Sequence, residues 1–285
     1  MPHPNEQPQA ATERRDGTDQ TADTPALSAS GLHAGYAKHN VLHGIDVDIQ
    51  PGDFAALIGP NGSGKSTLLR TLARLLKPAA GSVLLHDQPL ARLSAKALAC
   101  KLAVMPQSPT PPPGVSVREL VGYGRSPHTS WLKPQTPDDR RLIERLIHRC
   151  DLAHLADRFV DTLSGGERQR AWIAMALAQQ PDVLLLDEPV SALDIAHQLE
   201  VLDLLAQINR EQRTTIVIVL HDINLAARYC QTLFAVRAGS VAAAGPIDTV
   251  LTPELLIEVF GVRAQILRPE GLAYPVCVFD RDATV

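Results

Sequence analysis

The stretch Gly59-Pro60-Asn61-Gly62-Ser63-Gly64-Lys65-Ser66 decides how the rest of this chain is read. It follows five apolar residues, Phe54 to Ile58, and precedes a segment in which Leu68, Leu69, Leu72, Leu75 and Leu76 fall at helical spacing. Strand, glycine-rich loop and helix in that order form a phosphate cradle, G-x-x-x-x-G-K-[ST]. Glycines let backbone N–H groups turn inward around an anion, and the helix that begins near Lys65 aims its positive dipole end at the same point. Lys65 is expected to reach the β- and γ-phosphates, and Ser66 to offer its hydroxyl to Mg²⁺, with Thr67 completing the helix start.

A second stretch fits the first. Val183 to Leu186 is a run of four apolar residues, followed by Asp187 and Glu188. A buried strand of that length delivers both carboxylates to the carboxyl edge of a parallel sheet, where ligands collect. Asp187 is expected to hold Mg²⁺ and Glu188 to polarise a water that attacks phosphorus. Further strands are predicted over Leu102–Met105 and Thr215–Leu220, and helices over Gly165–Gln179, Asp194–Asn209 and Ile223–Tyr229. Alternation of this kind predicts a mainly parallel sheet covered on both faces. Between Ser108 and Leu163 the pattern changes to a Pro-rich entry and two helical segments, Val117–Val121 and Asp138–His148, which reads as a helical insertion.

Composition bounds the class. The chain has 285 residues, 45% hydrophobic and 20% charged, with a net charge of −4. That balance argues against a nucleic-acid binder held by bulk positive charge. The four cysteines contain no C-x-x-C pair, so neither a disulfide framework nor a zinc site is expected, and a reducing compartment fits. No apolar run reaches the length of a membrane span and no signal peptide is read, so any membrane role is expected to come through a partner. Residues 1–28, rich in Pro, Gln, Thr, Asp and Glu, are expected to form a disordered tail.

Leu163-Ser164-Gly165-Gly166-Glu167-Arg168-Gln169-Arg170 resembles the signature sequence of ATP-binding cassette (ABC) ATPases. The order of the phosphate loop, Gln107, signature, Asp187-Glu188, Ser191-Ala192-Leu193-Asp194 and His221 is similar to that family as well. The resemblance implies a P-loop NTPase cassette over residues 29–262, with a RecA-like core, an antiparallel β subdomain and the helical insertion at about 108–163. Residues 263–285 are left as a C-terminal tail. It also implies roles. Tyr36 stacks on adenine, Gln107 senses the γ-phosphate and Mg²⁺, and His221 contacts the γ-phosphate. Ser164, Gly165 and Gly166 at a helix start, with Asp194, serve the nucleotide bound to a second copy of the chain. Glu167 stands where the family often has Gln, and Val190 where it often has Thr; neither position supplies a catalytic group.

Leu163 to Met175, Ser191 to Gln198 and His221 to Cys230 look like the ATPases of ferric-siderophore importers, the hydroxamate (ferrichrome) type above all, with haem and cobalamin importers next. This implies ATP and Mg²⁺ as cofactors and a homodimer at the cytoplasmic face of the inner membrane. Integral permease subunits and, indirectly, a periplasmic or surface substrate-binding protein are the implied partners, with no nucleic acid. A soluble ABC ATPase without a membrane partner is the alternative.

Overall fold

The computed structural model describes residues 24–37, 39–107, 109–130 and 134–280. The chain opens with an antiparallel pair, β1 (Leu27–Tyr36) and β2 (His39–Ile49), and enters the central sheet at β3 (Phe54–Ile58). Helix α1 (Lys65–Leu72) leads to β4 (Ala80–Leu85), β5 (Gln88–Pro89), α2 (Ala95–Ala99) and β6 (Leu102–Met105). The helices α3 (Val117–Tyr123) and α4 (Pro137–Arg149) precede α5 (Gly165–Ala178), β7 (Val183–Leu186), α6 (Ile195–Gln212) and β8 (Thr215–Val219). Then come α7 (Ile223–Tyr229), β9 (Thr232–Arg237), β10 (Ser240–Pro246), α8 (Ile247–Val250) and α9 (Pro253–Phe260). A hairpin, β11 (Ala264–Leu267) and β12 (Val276–Phe279), ends the described chain.

Among the described residues, six strands make the central sheet in the order β10-β9-β3-β8-β7-β6, parallel except for β10. Every residue of β3, β7 and β8 is buried, as strands covered on both faces must be, which is why they read as unbroken apolar runs. Alternate residues feed different cores. Ala56, Leu184, Leu186, Ile216 and Ile218 join α5, α6 and α7, whereas Ala55, Leu57, Val183, Leu185, Val217 and Val219 join α1 and the antiparallel sheet β2-β1-β4-β5.

The stretch from 109 to 163 carries α3 and α4, each opened by a reciprocal cap. Ser116 and Glu119 bond each other's main chain at α3, and Thr136 and Asp139 do so at α4, behind Pro137. The lobe is pinned at one guanidinium. Arg125, 7% exposed, donates through Nε to Asp139 Oδ1 at 2.7 Å and through Nη1 to the Ala178 carbonyl at 2.7 Å and Gln180 Oε1 at 3.0 Å. The end of α3, the start of α4 and the end of α5 thus share one buried charge. Cys150, Cys230 and Cys277 are buried and Cys100 is part-exposed; all four are free thiols.

The structure departs from the sequence reading at both ends. Residues 1–23 of the expected tail lie outside the described residues, but Ala26 and Leu27 are fully buried and Leu27 pairs with Ile49 and Leu85. The expected tail therefore ends too late, because the short apolar start of β1 fills the antiparallel subdomain. The expected C-terminal tail instead contains the β11–β12 hairpin, whose Ala264 and Cys277 enter the main core. Helix α1 stops at Leu72, four residues short of the reading, where Arg74 turns left-handed (φ 58°) and Leu75 swings into solvent at 66% exposure.

Candidate functional site

The loop from Gly59 to Gly64 leaves the end of β3 and delivers Lys65 into the first turn of α1. Glycine is required where the loop passes β9. A Cβ on Gly59 would stand 2.1 Å from the Val236 carbonyl oxygen, and its φ of 148° disfavours any L side chain. Pro60 accepts from Ser63 N–H at 3.2 Å, which tightens the curve. Asn61, Gly62, Gly64, Lys65, Ser66, Thr67 and Glu188 border an open cleft above the loop. Lys65 folds over it, donating to the carbonyls of Gly59 at 2.9 Å and Pro60 at 3.1 Å. Burial pushes the Lys65 ammonium below its ordinary pKa, and the carboxylates of Glu188 and Asp187 oppose that shift.

The second stretch meets the first at this cleft. Ser66 donates its hydroxyl to Asp187 Oδ1 at 2.8 Å. Asp187 is 1% exposed, and burial raises its carboxyl pKa against the Ser66 hydrogen bond and the charge of Arg70. Glu188, at φ 52°, has a left-handed backbone that a non-glycine residue adopts at a cost of roughly 1–3 kcal/mol. Its two carboxylate oxygens are both engaged: Oε2 accepts from Gln107 Nε2 at 2.5 Å, and Oε1 lies 2.7 Å from His221 Nε2. Gln107 and His221 come from the ends of β6 and β8, the neighbours of β7 on either side. Three strand ends therefore converge on one carboxylate, as the sheet order requires.

Ser191 was not singled out for this site, yet its hydroxyl donates to the Glu188 carbonyl at 3.1 Å and fixes the turn after the acid. The signal in the sequence is a serine three residues after the acid, whose hydroxyl can bond the carbonyl three residues back.

Of the remaining candidates, Ser164, Gly165, Gly166 and Asp194 do not line this cleft. Ser164 caps α5 in a reciprocal box with Glu167, whose carboxyl is held below its ordinary pKa by the Ser164 main-chain and side-chain hydrogen bonds. Gly165 lines a neighbouring cleft with Gln107, Glu188 and Leu193. A Cβ on Gly166 would stand 2.8 Å from His197 Cδ2, so a side chain there would require that imidazole to move. Asp194 caps α6, accepting from His197 N–H at 2.9 Å, and lies 2.7 Å from His197 Nδ1. Tyr36, 44% exposed, stands at the end of β1 with its hydroxyl accepting from Arg70 at 3.2 Å. Ser63 Oγ is buried without a partner beneath the loop.

This arrangement fits a nucleoside triphosphate with Mg²⁺. A hydroxyl and a carboxylate, both hard oxygen ligands, converge at Ser66 and Asp187 beside a loop of backbone N–H groups. An ATP-binding and ATP-hydrolysing cassette is the class that this fold and site define.

The comparisons with known proteins agree. The ABC transporter family matches residues 42–191, and this chain belongs to it. The siderophore transport system ATP-binding protein YusV of Bacillus subtilis is 45% identical over 253 residues, covering 89% of this chain and 92% of that one. The iron(3+)-hydroxamate import ATP-binding protein FhuC of the same organism is 43% identical, covering 89% and 94%. The ferric enterobactin transport ATP-binding protein FepC of Escherichia coli is 42% identical, covering 90% and 95%. Among solved structures, an inward-facing ABC transporter of the metal-chelate type superposes with a TM-score of 0.78 at 29% identity, over 90% of this chain and 98% of that one. A dimeric ATP-binding cassette bound to ADP and Pi superposes with a TM-score of 0.68 at 27% identity, over 78% and 98%.

Proposed function

We propose that this chain is the ATPase subunit of an importer for iron(III)-siderophores of the hydroxamate type. It works as a homodimer on the cytoplasmic face of the membrane, where it drives a pair of permease subunits fed by a substrate-binding protein. The observation that carries the hydrolytic part is Glu188, held at the sheet edge by Gln107 and His221 beside Ser66 and Asp187. The cargo rests on relatives named for siderophores of several kinds. The membrane partner is supported by the metal-chelate transporter, and the dimer by the cassette dimer. Among the described residues no helix is long and apolar enough to cross a membrane.

In this reading the loop N–H groups and Lys65 bind the phosphates, and Tyr36 stacks on adenine. Ser66, Asp187 and Gln107 would hold Mg²⁺, which supplies charge neutralisation on the β- and γ-phosphates. Glu188 orients a water and takes its proton as phosphorus is attacked; His221 contacts the γ-phosphate. Ser164, Gly165, Gly166 and Asp194 lie off the chain's own phosphate cleft, so their nucleotide is the one held by the partner copy, against free N–H groups at the start of α5. The Pro-rich entry after Gln107 lets the helical lobe turn when ATP binds.

Uptake of radiolabelled iron as ferrichrome tests this in cells lacking the gene and complemented with wild type or Glu188→Gln. Ferrichrome uptake should vanish in the deletion and return only with wild type. Unchanged ferrichrome uptake alongside lost haem or cobalamin uptake would move the cargo to those chelates.

A further inference from the structure

The hairpin β11–β12 lies outside the matched residues 42–191 and carries none of the motif residues, yet it is tied to the catalytic edge. Cys277 spends both main-chain polar groups on one side chain. Its N–H donates to Asn224 Oδ1 at 2.7 Å, and its carbonyl accepts from Asn224 Nδ2 at 3.1 Å. A primary amide offers one acceptor and one donor side by side, as a neighbouring strand would.

Asn224 is the second residue of α7. The cap of that helix is Asp222, whose Oδ1 accepts from Asn224 N–H at 2.8 Å and Leu225 N–H at 3.1 Å. Asp222 directly follows His221. On the sheet side, Leu220 N–H is bonded to the Leu57 carbonyl at 3.2 Å. His221 thus sits in the middle of a three-residue connector, Leu220 to Asp222, between β8 and α7, so a shift of the first turn of α7 would carry its imidazole. The hairpin is firmly seated. Cys277 is 3% exposed and shares a core with Ile223 and Ala226 of α7. Burial, followed by the nearby Asp222 carboxylate, raises the pKa of its thiol.

We infer that Asn224 is a positioning residue for ATP hydrolysis, through which the C-terminal hairpin fixes the start of α7 and hence the approach of His221 to Glu188. This rests on the reading of His221 as the group that meets the γ-phosphate. Removing the amide frees the first turn of α7 from β12 without touching the nucleotide cleft. The loss should therefore appear in turnover rather than in ATP binding.

The test measures steady-state ATPase activity and Tm of the full chain as wild type, Asn224→Ala, His221→Ala and the double variant. Asn224→Ala should lower kcat about tenfold while leaving the KM for ATP within about threefold, as expected of a misplaced rather than a missing group. In the His221→Ala background the same change should cost less than about threefold more, because both variants act through one imidazole. A staple that merely stabilised the fold would lower Tm and give losses that multiply. Asn224→Asp keeps the acceptor for the Cys277 N–H and loses the donor. It should give a smaller loss of kcat with the same lack of additivity, and it takes over if Asn224→Ala does not fold. Wild-type kcat in the Asn224 variants, or multiplying losses, overturns the inference. Wild-type turnover in His221→Ala alone would overturn the role of His221 instead.

Discussion

Glu188 and His221 meet at 2.7 Å between Oε1 and Nε2, joining the end of β7 to the end of β8. With Oε2 accepting from Gln107, each carboxylate oxygen has one partner and keeps a further lone pair that a water can meet. The two partners hold the carboxylate in place, and its remaining lone pairs can receive a proton from an attacking nucleophile.

Glu188→Gln keeps the size of the side chain and one acceptor oxygen, and removes the base. ATP binding should survive while hydrolysis falls by about 10²–10⁴. With its ATP uncleaved, the variant should shift from monomer to dimer with ATP and hardly at all with ADP, read by light scattering over a range of concentrations. An ATP-loaded variant that stays monomeric at every concentration counts against closure of two copies over two nucleotides.

Lys65→Ala removes the main cation at the phosphate loop. ATP affinity should fall severely and ATPase activity should be lost, with Tm little changed, because Lys65 bonds only loop carbonyls. Calorimetric titration with ATP checks it; near-normal affinity sinks the assignment of the loop.

Gly59→Ala should damage both stability and binding. The added methyl would stand 2.1 Å from the Val236 carbonyl, a main-chain atom that can yield only if β9 shifts against β3. A lower Tm together with weakened ATP binding is expected, and a variant with wild-type values for both would contradict the packing described.

Arg125→Met strips the buried charge pair of one partner and should destabilise the chain by about 3–5 kcal/mol in denaturant unfolding. A cost under 1 kcal/mol would mean that the guanidinium does not pin the lobe.

The pH dependence of that cluster has a definite sign. Main-chain and side-chain hydrogen bonds from Thr136, and then Arg125, hold the Asp139 carboxyl at about 2 against an ordinary value of 3.8. Between those values the unfolded chain binds more protons than the folded one, so stability rises with pH there and is lost as pH falls through the same window. The Tm advantage of wild type over Asp139→Asn should therefore be full above about pH 5 and shrink towards pH 3. A gap independent of pH would mean that Asp139 is not ionised in the fold.

Much of this was legible in the residues. Val183–Leu186 and Leu102–Met105 have the bounds read from sequence, because each short apolar run ends abruptly at polar residues or proline. Glu188 was placed at the sheet edge by the apolar run before it, whereas Gln107 and His221 took their roles from the family resemblance alone. Other elements gave no such signal. β1 contains Gly31 and Gly35 and breaks register with β2, and β10 is largely Ala and Gly, so neither carries a strong alternation of apolar and polar side chains. The hairpin β11–β12 lacked one as well, with Leu267, Val278 and Phe279 half in solvent. Asn224 was invisible because its partner is main chain, 53 residues away.

The burial of three thiols has a practical consequence. Burial pushes Cys150 up to about 12 and raises Cys230 and Cys277 as well, so none of these offers a thiolate at neutral pH. Cys100 is part-exposed at the end of α2, its Sγ 3.7 Å from the Pro127 carbonyl in the segment that follows α3. The natural chain is thus a single-site substrate for maleimide dyes. A fluorophore there would sit between the sheet and the helical lobe and report their relative rotation without a cysteine-free background.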